Sequence, residues 1–123
     1  VWRWAGTYRT STKNIGVDRE QIPIRLIETI DNVRYWIGRK TFSNDEIAVR
    51  FHHGLVFIHP FPNGNGRWSR LMADILTVRL GEPRFTWGRS SLGTADETRS
   101  AYIEALKAAD NHDHASLIAF ARS

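Results

Sequence analysis

At about 150 residues per domain, a chain of 123 residues has room for one globular domain, and its 41% hydrophobic and 24% charged residues exclude disordered, collagen-like and low-complexity classes. The absence of cysteine excludes disulfide frameworks, thiolate metal sites and thiol catalysis and fits a reducing, cytoplasmic compartment. The net charge is +4, fourteen of the 17 cations are Arg, and the whole excess lies in residues 1 to 43, a bias that favours planar recognition of oxyanions.

The chain opens on Val-Trp-Arg-Trp-Ala-Gly, which reads as the end of a helix, so helices are expected upstream of a single domain core over 1–123. No run approaches about 18 apolar residues and the N-terminus has no apolar h-region, so neither a membrane span nor a signal peptide is expected. Thr7 to Val17 is rich in β-branched and small polar residues and predicts a short β-hairpin. Leu26, Ile30, Val33 and Ile37 then form the stripe of an amphipathic helix, with Pro23 in its first turn and Gly38 as its stop.

Ser43-Asn44-Asp45-Glu46 predicts a capping box at the start of a second helix. Its stripe is Ile47, Phe51, Leu55 and Ile58, and Pro60 places His59 at or just past its end. A third helix from Gly66 carries Trp68, Leu71, Ile75 and Val78 and stops at Gly81 and Pro83. Residues 82 to 93 read as irregular. A second capping box, Thr94-Ala95-Asp96-Glu97, opens a fourth helix bearing Tyr102, Ile103, Leu106 and Ala109, and Leu117, Ile118 and Phe120 mark a short fifth. The fold class is mainly α, a helical bundle with one short hairpin near the N-terminus.

Chemistry concentrates between the second and third helices. Gly64-Asn65-Gly66 can turn successive backbone N–H groups toward one point, and such a nest at the positive end of a helix is an anion site. Arg67 and Arg70, three apart on one helical face, match a di- or triphosphate better than a single carboxylate, which makes a nucleotide the expected ligand. His59 enters the same loop as the obvious general base, and a base beside a polyphosphate suggests attack by a hydroxyl on phosphorus. Phe61 is the expected wedge between the helices.

His59-Pro60-Phe61-Pro62-Asn63-Gly64-Asn65-Gly66-Arg67-Trp68-Ser69-Arg70 resembles the signature of Fic domains, His-x-Phe-x-(Asp/Glu)-Gly-Asn-Gly-Arg-x-x-Arg. Trp4-Ala5-Gly6-Thr7-Tyr8-Arg9 is similar to the segment before the Fic flap, and Ile103 to Phe120 to the end of the core. Asn63, Asn14-Ile15-Gly16-Val17 and Phe120-Ala121-Arg122-Ser123 together most resemble the bacterial Fic-type subgroup called mobile mystery protein B. The resemblance implies a Fic-type bundle that moves AMP from ATP to a Ser, Thr or Tyr hydroxyl of a target protein and releases pyrophosphate. It implies His59 as base, Phe61 as anchor, Gly64, Asn65 and Gly66 as phosphate cradle, Arg67 and Arg70 as clamps, and Lys13, Asn14, Ile15 and Gly16 as a flap where targets dock by strand addition.

Asn63 stands where the Fic pattern commonly has a carboxylate that helps hold Mg²⁺, so the expected metal is weakly held by a neutral oxygen. Low activity, another donor such as UTP or CDP-choline, and nucleotide binding with little transfer all remain open. The family's inhibitory (Ser/Thr)-x-x-x-Glu-(Gly/Asn) pattern has no full match: Ser100 to Glu104 has the spacing but is followed by Ala105 and reads as an exposed helical face. An inhibitory helix upstream or an antitoxin-like partner is the expected regulator. His52 and His53 lack His-Glu-x-x-His spacing and read as helix surface or core, and the five Trp as packing, with Trp68 near enough to the loop to touch a base. A nucleic-acid-binding module is disfavoured because no run of cations marks a groove-reading helix.

Overall fold

The structure, a computed structural model, describes residues 7–10 and 16–123. A 3₁₀ turn over Arg19–Gln21 leads into α1 (Ile22–Arg39), followed by α2 (Asn44–Ile58), α3 (Asn65–Arg79), α4 (Ala95–Asp110) and α5 (Ala115–Ala121). Among the described residues there is no strand. The predicted hairpin is therefore not seen in Thr7–Thr10 or Gly16–Val17, and Lys13, Asn14 and Ile15 lie outside the described residues.

α2 is the central element because Ile47, Ala48, Val49, Phe51, His52, Leu55 and Ile58 bury more than one of its faces. One face packs with Val33 and Trp36 of α1 and with Trp68, Met72 and Leu76 of α3. Another meets Ala73, Phe85, Ala105, Ala109, Leu117 and Ala121, joining α3, α4, α5 and the strap after α3 into a second cluster. Each fully buried large side chain here contributes about 1.5–3 kcal/mol of transfer free energy. Arg122 closes the second cluster: its Nε and Nη2 donate to the Asp45 carboxylate at 2.9 and 2.6 Å, its Nη1 to the Pro83 and Arg84 carbonyls, and its guanidinium covers the Phe85 ring.

Four local expectations change. α1 runs through Gly38 and ends at Lys40, which takes the left-handed conformation (φ 52°) and closes the helix with its N–H on the Ile37 and Trp36 carbonyls. The buried face of α1 is also rotated: Ile22 and Val33 are buried whereas Ile30 and Ile37 are exposed, because α1 approaches α2 where Thr29 meets Gly54, and a Cβ there would stand 3.2 Å from Thr29 Cγ2.

The Ser43 hydroxyl accepts from Glu46 N–H as expected, but Glu46 turns to Arg50 at 2.9 Å and only half the box forms. The Thr94–Glu97 box is complete. On α3 the predicted stripe is exposed at Leu71, Ile75 and Val78, and the buried positions are Asn65, Ser69, Ala73, Asp74 and Thr77. Ser69 and Thr77 donate their hydroxyls to the Gly66 and Ala73 carbonyls of their own helix, so these polar residues enter the core satisfied. Asp74 is satisfied too, by Trp87 Nε1 at 2.9 Å and Arg84 at 3.3 Å. Among the described residues no helix is long and apolar enough to cross a membrane.

Candidate active site

His59 is the C-cap of α2, left-handed at φ 53°, ψ 60°, with its N–H on the Leu55 carbonyl at 3.1 Å. That conformation costs a non-glycine residue about 1 kcal/mol or more and persists only where the surroundings hold it. The buried Arg9 side chain donates from Nε to the His59 carbonyl at 2.6 Å and from Nη2 to the carbonyls of Ile58, at 3.2 Å, and Val17. Its backbone N–H adds a bond to Pro60 at 2.8 Å. Gly16, at φ +90°, lies against the same residue: a Cβ there would sit 2.7 Å from His59 Cβ and 2.8 Å from the Ile58 carbonyl. Gly16 thus abuts the histidine itself, and only glycine fits both the backbone angle and the gap.

Beyond His59, Phe61 is buried between Trp68 (ring centroids 4.9 Å, edge-on) and Tyr8 (5.9 Å) and anchors the loop to the α3 side of the core. Trp68 is committed to this packing. Asn65 closes the loop: its Oδ1 accepts from Phe61 N–H and its Nδ2 donates to the Phe61 carbonyl, both at 2.8 Å. The Asn65 side chain is therefore an internal staple, and what residue 65 offers an anion is its backbone N–H.

Between these two, Asn63 stands exposed. Gly64 is left-handed (φ 74°, ψ 16°) and caps α3, whose first internal bond runs from Trp68 N–H to Gly64 C=O at 2.9 Å. The amides ahead of that bond are those a helix start presents to an anion, in the field of the positive dipole end.

Arg67 is exposed and Arg70 half-buried. Arg70 folds back over the helix start, where a Cβ on Gly66 would lie 3.3 Å from its Nη1. It also stands over the Tyr102 ring, 5.4 Å from the centroid. The Tyr102 hydroxyl and His52 Nε2 share a hydrogen bond at 2.9 Å. Burial lowers the His52 pKa to about 3, so the ring stays neutral. Burial likewise raises Tyr102, against the pull of Arg70. His53, one step round the helix, pairs with Asp110 at 2.8 Å.

The predicted residues His59, Phe61, Asn63, Gly64, Asn65, Gly66, Arg67 and Arg70 thus share one turn between α2 and α3. Glu104 is exposed and pairs with Lys107 at 3.6 Å, as expected of a solvated face. Among the described residues no group of three or more His, Cys, Asp or Glu gathers to hold a metal.

The residue profile of the Fic/DOC family matches residues 5–77, a stretch that includes the whole α2–α3 turn and Arg9. The chain belongs to the Fic/DOC family. It is 30% identical over 112 residues to "Protein adenylyltransferase fic-1" of Caenorhabditis briggsae and of Caenorhabditis elegans, covering 89% of this chain and 21% of each relative. It is 29% identical over 118 residues to "Protein adenylyltransferase Fic" of Drosophila virilis, covering 94% of this chain and 23% of the relative. The chain thus spans about a fifth of the length of these curated relatives.

Sequence reasoning missed two supports of this Fic/DOC site. Arg9 has no periodicity to mark it as buried, and its neighbours Tyr8 and Thr10 are exposed. His52 and Tyr102 lie 50 residues apart, and only the packing of α4 on the core joins them.

Proposed function

We propose that this Fic/DOC chain is the catalytic core of a protein adenylyltransferase that moves AMP from ATP to a Ser, Thr or Tyr hydroxyl of a target protein. One juxtaposition carries the reading: His59 at the end of α2 and the amides that open α3 belong to one loop, closed by Asn65. The names of the relatives point the same way.

In this reading the start of α3 binds the outer phosphates through the Gly64–Gly66 backbone, and Arg67 and Arg70 clamp them as planar donors. The target hydroxyl oxygen bonds to the α-phosphorus, its proton passes to the His59 imidazole, and the bridging P–O bond breaks to release pyrophosphate. Proton transfer to a positioned base contributes typically about 10²–10⁴ in rate, with the rest from positioning and charge stabilisation. A magnesium ion carried by the nucleotide fits here with one protein oxygen, the Asn63 carboxamide, and would neutralise phosphate charge. The segment around Gly16, Lys13, Asn14 and Ile15 would receive the target.

The exposed Asn63 favours a second reading, a chain of the mobile mystery protein B type that binds nucleotide but transfers slowly or takes UTP or CDP-choline. We place it in a bacterial cytoplasm under control of an upstream helix or an antitoxin-like partner.

The deciding experiment incubates the chain with labelled ATP and magnesium in a cell lysate, wild type beside His59→Ala. Label on protein that vanishes in His59→Ala supports transfer. Nucleotide binding with no label from either supports the second reading.

A further inference from the structure

Arg9 plays no part in the chemistry above and Gly16 enters it only within the target-receiving segment, yet both converge on the residue that carries it. The Arg9 side chain is buried, 3% exposed, against the last carbonyls of α2. Its Nε and Nη2 donate to consecutive carbonyls, His59 and Ile58, and Nη2 also reaches Val17 across the gap from the preceding segment. Val17 N–H returns a bond to the Ile58 carbonyl at 3.4 Å. A rigid fork can hold separate acceptors at once, which a lysine ammonium on a flexible stem does less well. A cation here also meets the negative end of the α2 dipole. Opposite it, Gly16 leaves no room on the Cβ side of His59.

We infer that Arg9 and Gly16 form a brace that fixes the left-handed backbone of His59 and thereby aims its imidazole across the α2–α3 turn, making Arg9 a positioning residue for the base. The inference rests on the adenylyltransferase reading for its rate consequences but not for its geometry. The bonds that make the brace run to the end of α2, so its expected effect is on the base and not on nucleotide affinity.

The test substitutes Arg9→Lys in the full chain and, from the other side, Gly16→Ala. A misplacement of about 1 Å at a reacting group costs on the order of 100-fold. In both variants kcat for transfer is expected to fall by about that factor, with KM for ATP within roughly twofold. In a His59→Ala background Arg9→Lys should cost nothing further, because residues acting as one unit are non-additive. Unchanged kcat, a loss confined to KM, or an equal cost in the His59→Ala background overturns the inference. Should Arg9→Lys fail to fold, Gly16→Ala decides through the His59 ring signals by NMR without target present, a readout that target docking does not enter, and unmoved signals overturn the inference.

If the wild type shows no His59-dependent transfer, the functional reading has failed and the brace is judged by NMR of the histidine rings. Arg9→Lys is then expected to displace the His59 ring signals while leaving those of His52 and His53 in place. An unmoved His59 signal refutes the brace.

Discussion

Moving the protein from pH 7 to pH 5 should destabilise it through His52. In the native chain burial holds this imidazole at about 3, against 6.5 for an ordinary histidine. Between those values the unfolded chain carries a proton that the native chain refuses. Stability therefore rises with pH by about 1.4 kcal/mol per unit across that window. The penalty is absent well above pH 6.5, grows as pH falls, and levels off below about 3. From pH 7 to pH 5 it amounts to about 2 kcal/mol.

Other groups titrate in the same interval, among them His114, which burial also lowers, so the assay is a difference. Urea midpoints at both pH values are compared for wild type and His52→Gln, whose carboxamide can still hydrogen-bond the Tyr102 hydroxyl but does not titrate. Wild type should lose about 2 kcal/mol more than the variant. Parallel losses in the two proteins, or a His52 ring titrating near pH 6.5 by NMR, would refute the argument.

Phe61→Ala removes the ring between Trp68 and Tyr8 and should cost about 3–5 kcal/mol in denaturant unfolding; a loss under about 1 kcal/mol would mean that the ring anchors nothing. Asn63→Asp should raise magnesium-dependent transfer by restoring an anionic ligand, and equal rates at every magnesium concentration would remove Asn63 from the metal argument. Thr94→Ala breaks a complete capping box and should cost about 1 kcal/mol, more than Ser43→Ala, whose box is half formed; the reverse order in melting temperature would contradict that comparison.

What could be read from the sequence was what acts locally. The Thr94 capping box, the Pro60 stop, the Gly81 stop and the α2–α3 loop depend on residues a few positions apart and stand where their chemistry puts them, while the Ser43 box forms by half. Which face of a helix is buried depends on distant partners. On α3 three large aliphatic residues announced a core face, yet Ser69, Ala73 and Thr77 hold the buried side, because small residues let α2 approach and their hydroxyls bond within the helix. The left-handed Lys40 overrode the glycine signal at Gly38 for a similar reason: cap bonds, not residue type alone, ended α1. Within the site, the gathering of the motif residues in one turn was legible, but the Arg9 bonds and the His52–Tyr102 pair join segments about 50 positions apart and leave no periodic trace.

The paired bonds between Asn65 and the Phe61 backbone bear on the thermodynamics of ligand capture. One carboxamide satisfies both polar groups of a residue four positions earlier, so the turn is a closed ring whose shape owes nothing to an incoming anion. Ordering a free loop costs about 1–2 kcal/mol per residue in backbone entropy. Here that ordering is paid for at folding, so an arriving phosphate meets amides already in place and keeps more of its interaction energy as affinity.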